Sequence, residues 1–235
     1  MSNISGDGTL TPGEFRVAAF AFAVRWKSSV SAFPPWSWLS PPKHPWLSNE
    51  VDGYLALENV CLLDSSEENH AGRCTGLEDP NCSGDDEPID DATLVQSCRD
   101  DFRYYDFHVI YDSSYRVPVL YFRAYSGDGR TLLLSEFEGD LPADSSEALV
   151  KSKWTFITQE TFYHGLQEHP YLNRPWYKLH PCGTSECMKL LFQSDTSIRA
   201  TSGAAELYLL SWFSVVGRMV GLSIPYQMMK CENDT

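Results

Sequence analysis

Positive charge is scarce in this chain of 235 residues. Eighteen lysines and arginines stand against 32 aspartates and glutamates, giving a net charge of −14. That deficit excludes the basic footprint that nucleic acid requires, and it excludes electrostatic attraction to an anionic membrane surface. A basic protein partner remains compatible with it. A membrane-crossing run is also missing. The longest apolar stretch, 204–220, is interrupted by Glu206, Ser211, Ser214 and Arg218, whereas a span needs about 20 predominantly apolar residues. No Cys-x-x-Cys pair occurs, and the spacing of Cys182 and Cys187 is not matched by a second pair of ligands, so a zinc site has little support. The seven cysteines are odd in number and irregular in spacing. A disulfide framework is therefore not expected, and a reducing, cytoplasmic setting fits better. Internal repeats are absent, and so is the strand–helix alternation of a doubly wound sheet.

What is present is material for a core. The chain is 43% hydrophobic and 13% aromatic, which suits one sizeable domain over residues 1–235. The acid is concentrated. Residues 64–91 carry ten acidic side chains and a single basic one, Arg73, so they hold −9 of the total charge. With their serines, glycines and asparagines they read as a solvated insert, extending to about residue 100. The run Val17–Val24 resembles a signal-peptide apolar segment, but Thr11–Pro12–Gly13–Glu14 ahead of it is a helix start. Thr11 caps, Pro12 suits the first turn and Glu14 completes a capping box. A buried helix over 12–30 is expected, and the sequons at Asn3, Asn81 and Asn233 are read as chance matches in polar loops and tails.

Prolines 34, 35, 41, 42 and 45 make 33–46 irregular, with Trp36, Trp38 and Trp46 pinning it to the body. Residues 54–63 read as a strand. Tyr104–Tyr111 and Val117–Tyr125, joined by Asp112–Ser113–Ser114, read as a hairpin rich in aromatic and β-branched residues. Pro118 belongs near a strand start or edge, since it has no N–H for the ladder. Ser126–Gly127–Asp128–Gly129 then turns the chain into Thr131–Leu134, extending an antiparallel meander. Trp154–Gln159 is a short strand or loop. Trp176–His180 is a strand, and 204–220 is a helix with Leu209, Trp212, Phe213 and Val216 on its buried stripe and Gly221 at its end. Residues 226–235 read as a loose tail. The fold class is α+β: an antiparallel meander packed with helices.

The feature that carries chemistry is His180–Pro181–Cys182, which closes the strand and runs into Gly183–Thr184–Ser185. A cysteine at a strand end beside flexible, solvated backbone suits a working thiol, because only an accessible thiolate attacks a substrate. The alternative is a buried, inert cysteine. His180 lies two residues away, on the same face if the strand continues. It either tunes the thiol or simply shapes the turn through a backbone hydrogen bond, and the second reading is preferred. Gln159, Thr158 and the tyrosines of 104–111 are candidate donors for an oxyanion. Cys187, Cys61 and Cys98 read as packing residues. A cysteine protease would need His108, His164, His169 or His180 as base. Against it, no convincing helix follows Gly183–Thr184–Ser185. A pure binding module would offer the hairpin as an edge strand.

Three segments together resemble one family. They are Tyr105–Val109 through Val117–Arg123, closed by Asp128–Gly129–Arg130; Glu168–His169–Pro170 leading to Leu179–His180–Pro181–Cys182; and Ser211–Trp212 with Val215–Val216–Gly217 and Val220–Gly221–Leu222. In this order they resemble the autophagy-related protein 10 family of E2-like conjugating enzymes, over most of residues 100–225. The resemblance implies a ubiquitin-conjugating-like fold with no metal and no small cofactor. It implies that Cys182 is the thioester cysteine, which accepts the C-terminal glycine of the ubiquitin-like autophagy-related protein 12 from the E1-like protein 7. It further implies that Cys182 passes this modifier to a lysine of autophagy-related protein 5, in support of autophagosome formation. A monomer is expected. One departure is visible: Glu160–Gln167 separates Trp154–Gln159 from Glu168–His169–Pro170, where the family usually runs almost directly from one to the other.

Overall fold

The computed structural model describes residues 6–31, 33–40, 53–61, 102–141, 167–194 and 204–229. Helix α1 (Pro12–Ser29) starts at a complete capping box: the Thr11 side chain accepts from the Glu14 N–H, and the Thr11 N–H donates to Glu14 Oε2 at 2.7 Å. Both groups would otherwise be orphans of the first turn. Phe15, Ala18, Ala19, Phe22 and Trp26 form its buried stripe.

The sheet is antiparallel, in the order β1 (Ser37–Leu39), β2 (Tyr54–Cys61), β3 (Arg103–Asp112), β4 (Val117–Ser126), β6 (Pro175–Lys178), β5 (Gln167–Glu168). The β3–β4 hairpin is in register from Arg103↔Ser126 to Asp112↔Val117. Its turn is held by Asp112 Oδ1, which accepts from the Ser114 and Tyr115 N–H groups at 3.0 and 3.1 Å. Pro118 is the second residue of β4, ahead of Tyr121 and Phe122 where β6 pairs, so its missing N–H costs no ladder bond there. A bulge between Leu57 and Val60 puts Asn59 at φ 58° and lets its N–H reach Asp106 Oδ1 at 2.9 Å.

Because side chains alternate along a strand, the sheet has two different faces. Tyr105, Phe107 and Val109 of β3 with Leu120, Phe122 and Ala124 of β4 join the main core beneath α1 and α4 (Ala204–Met219). Phe22 and Phe213 meet there at 5.1 Å between ring centroids. Each such buried ring contributes about 1.5–3 kcal/mol by removal from water. The opposite face carries a smaller cluster of Tyr54, Ala56, Ile110, Val119, Tyr121 and Trp176.

Four expectations need correction. Residues 33–46 are not wholly irregular: Ser37–Leu39 pairs with β2, because the residues between Pro35 and Pro41 retain their N–H donors. Thr131 makes a single bridge to Tyr125, and the chain then turns into a short helix, α2 (Leu134–Phe137), rather than a further strand. Tyr226–Met229 forms helix α5 rather than loose tail. Met228 is buried in the main core, and its carbonyl accepts from Arg25 Nη1 at 3.4 Å. The hairpin is not an edge: β2 flanks β3 and β6 flanks β4. Its backbone groups are therefore largely used within the sheet, which removes the basis of the binding-module reading. Helix α4 ends as expected at Gly221, at φ 77°, with a Schellman pair from Leu222 N–H to Gly217 O (2.8 Å) and Gly221 N–H to Arg218 O (3.4 Å). The acidic insert, Trp154–Gln159 and Glu160–Leu166 lie outside the described residues.

Candidate active site

Strand β6 is fixed by buried Trp176 and Tyr177 and continues to Leu179, whose N–H donates to Leu120 O at 3.0 Å. The chain then makes a 3-10 turn, Pro181–Gly183, and enters helix α3 (Thr184–Ser194). Pro181 suits the first position because no intrahelical partner is needed for an N–H there. His180 caps the turn: its Nδ1 accepts from the Cys182 N–H at 3.2 Å. Pro181 and Gly183 are buried while Cys182 between them is exposed. The flanks hold the turn and leave the thiol in solvent, at the end of the sheet nearest the 112–117 hairpin turn. Tyr115 of that turn packs edge-on to His180 at 5.5 Å.

Helix α3, behind the turn, packs against residues 8–10. Gly8 has φ +79°, and a side chain there would run into Ser185 O and Lys189 N of α3. Its carbonyl accepts from Tyr208 Oη at 2.7 Å. Leu10, fully buried, donates its N–H to Arg116 O at 2.8 Å and accepts from Tyr111 Oη at 2.7 Å.

Two expectations about the cysteine change. Cys182 lies in a 3-10 turn, so the strand argument that placed it on one face with His180 does not apply. A helix does follow at once. Thr184 and Ser185 suit a helix start and Glu186 places an acidic group in the first turn, which the positive end of a helix favours. The objection raised against a protease on this ground therefore falls, but another replaces it. His180 Nδ1 is occupied by backbone, as the structural reading of this residue holds. Among the described residues the Cys182 sulfur is hydrogen-bonded to no histidine, and His108 and His169 are buried together on the other face of the sheet. His164, Thr158 and Gln159 lie outside the described residues. The Tyr105 hydroxyl donates to Asp140 (2.8 Å) and that of Tyr111 to Leu10, while Tyr104 sits at the far end of β3. Cys187 is half-buried and burial pushes its thiol pKa up, consistent with a packing role. Cys61 is half-buried as well, and Cys98 is outside the described residues. Among the described residues no three His, Cys, Asp or Glu side chains converge as metal ligands.

Residue-by-residue reading missed a polar chain on the opposite face. The Tyr171 N–H donates to His169 Nδ1 (3.2 Å), so the proton of that ring is on Nε2, which lies 2.8 Å from His108 Nδ1. His108 in turn carries its proton on Nε2, 3.1 Å from Glu58 Oε1. Each tautomer follows from its neighbour. Both rings are fully buried among Tyr54, Tyr121 and Trp176. Burial, followed by the neighbouring His169 and Arg123, lowers His108 to about 2, and burial followed by Arg123 lowers His169 to about 4. Burial raises Glu58 and Asp106. Both rings are neutral at physiological pH, so the chain of hydrogen bonds is structural. It ties the Glu168–His169–Pro170 turn to β3 and so braces β6. The two histidines are 61 residues apart in sequence, and no local pattern announces their contact.

The profile of the family described as autophagocytosis associated protein, active-site domain, matches residues 14–227. The ubiquitin-like-conjugating enzyme ATG10 of Arabidopsis thaliana is 46% identical over 224 residues, covering 95% of this chain and 96% of that protein. ATG10 of Homo sapiens is 33% identical over 185 residues, 77% of this chain and 79% of that protein. Autophagy-related protein 3 of Lodderomyces elongisporus is 30% identical over 122 residues, 52% of this chain and 30% of that protein.

Proposed function

We propose a function from one premise: the chain belongs to the autophagocytosis-associated protein, active-site domain, family. It is an E2-like, ubiquitin-like-conjugating enzyme of autophagy, and the nucleophile is Cys182. The observation that carries the assignment is the exposed thiol on a turn whose neighbours are buried, with no histidine bonded to its sulfur among the described residues. Exchange between a thiol and an incoming thioester needs access and a thiolate rather than a strong base. The Cys182 thiolate attacks the thioester carbonyl, the E1 thiolate leaves, and the modifier is carried on Cys182. A lysine amine then attacks the same carbonyl, an isopeptide bond forms, the Cys182 thiolate departs and the amine releases a proton. A well-placed donor to the oxyanion of that second step contributes roughly 3–4 kcal/mol.

In the finer reading the modifier is autophagy-related protein 12, the donor is the E1-like protein 7 and the acceptor lysine is on protein 5, in the cytoplasm. Among the described residues no helix is long and apolar enough to cross a membrane. The test is a charging reaction with E1, ATP and modifier, resolved with and without reductant. A reductant-sensitive adduct that is lost in Cys182→Ala and becomes reductant-resistant in Cys182→Ser is expected. Undiminished conjugation by Cys182→Ala would overturn the assignment.

A further inference from the structure

A cavity of about 60 Å³ opens beside the cysteine turn. Leu120, Leu179, Met188 and Trp212 line it, each at most 5% exposed. Val215, 36% exposed, is also on its wall. So are His180 and Gly183, the residues that bracket Pro181–Cys182 in the chain. Among the described residues no aspartate, glutamate, lysine or arginine lines it. The indole N–H of Trp212 has no acceptor among the described residues, but it has next to no accessible surface, so the ring and not its N–H forms the wall.

We infer that the cavity is a specificity pocket for the acyl chain: it receives an aliphatic side chain from the last residues of the modifier carried on Cys182, packed against the apolar wall that includes Trp212. The inference rests on the thioester role of Cys182. Three arguments select this occupant. The thioester tethers the tail at Cys182, and an extended chain advances roughly 3.3–3.6 Å per residue, so the residues two to four before the terminal glycine are held within reach of the cavity. The volume is several times the ~10–15 Å³ that admits a water, yet well short of the ~150 Å³ that admits a benzene ring, which suits a side chain of valine or leucine size. The uncharged wall disfavours the acceptor lysine, because burying an unpaired ammonium is costly.

Two variants of the full chain test the pocket: Val215→Phe and Val215→Trp, which fill the cavity from its rim to increasing extents. On the modifier side, each of the four residues before the terminal glycine is changed to alanine. Single-turnover transfer from charged E1 to Cys182 is followed, with the iodoacetamide rate of Cys182 and the Tm as controls. Charging about tenfold slower in both chain variants is expected, the scale of a lost aliphatic contact, with the thiol still reactive and the fold retained. One alanine change in the modifier is expected to slow the wild-type chain equally and to add nothing in Val215→Trp. Wild-type charging by both variants would overturn the pocket while leaving the thioester role intact. A defect confined to discharge onto the acceptor would overturn it in favour of an acceptor site. Independent addition of the alanine and Val215→Trp effects would overturn it as well. Absence of any Cys182 adduct on the wild-type chain would overturn the conjugating function itself, and the pocket with it.

Discussion

On the face of the sheet under the helices, Phe107, Leu120 and Phe122 join Phe22, Tyr208 and Phe213 in a core built almost entirely from apolar surface. On the other face, His108 and His169 lie among tyrosines and Trp176, and Asp106 accepts from Tyr125 Oη at 2.5 Å and from the Asn59 N–H. Arg123 stacks between Tyr125 and Trp176, 4.3 and 4.8 Å from their ring centroids. One face is stabilised by area, which tolerates small adjustments. The other depends on a closed set of hydrogen bonds, in which each missing partner leaves another group unsatisfied. The exposed thiol sits at the end of the sheet and depends on both faces for its position while contributing to neither.

The contrast can be broken in several ways. Phe213→Ala opens a cavity in the helix-side core and is expected to cost about 3–5 kcal/mol in denaturant unfolding, with little change in pH dependence. Acid is expected to act through the other face. His108 and His169 have lowered pKa values in the folded state, so below about 6.5 the unfolded chain binds protons that the folded chain refuses. Stability is therefore full above that pH and falls as pH drops, by up to about 1.4 kcal/mol per histidine per pH unit. Glu58 and Asp106, whose pKa values burial raises, act in the opposite sense and offset part of the loss. Unfolding midpoints measured from pH 8 to 5 check the slope, and the double change His108→Leu with His169→Leu is expected to flatten it. His169→Ala alone strands His108 Nδ1 and the Tyr171 N–H, at about 1–3 kcal/mol for each buried group. Cys182→Ser is expected to move stability by less than about 0.5 kcal/mol, as for other exposed sites, while changing the charged adduct to a reductant-resistant one. A large loss of stability in that variant would show the thiol to be part of the fold.

The helix-side face was legible in the sequence because its signals are local. The capping box of Thr11 and Glu14, the turn at Asp112, the aromatic and β-branched runs 104–111 and 117–125, and the stripe of 204–220 each name an element without reference to the rest of the chain. The His-Pro-Cys tripeptide marked the cysteine turn in the same way. Helix α3 was missed because Gly183–Thr184–Ser185 has the composition of a loop, although Thr and Ser are also favoured at helix starts. Strand β1 was hidden by its flanking prolines. The His108–His169 pair and the cavity at Trp212 arise from residues that the fold brings together from distant segments, and propensity carries no information about such meetings.

The contacts of Gly8 with α3 and of Leu10 with the β3–β4 hairpin also set an order in time. A nascent chain displays its first residues long before Tyr111, Arg116 or Tyr208 has been synthesised, so those early groups must wait without their partners. The surroundings of Cys182 become complete only after residue 208 has emerged and Gly8 has met it. A truncated product that already contains the thiol but stops short of Tyr208 would therefore lack the contact that holds Gly8 beside α3, which ties completion of the site's surroundings to synthesis of α4.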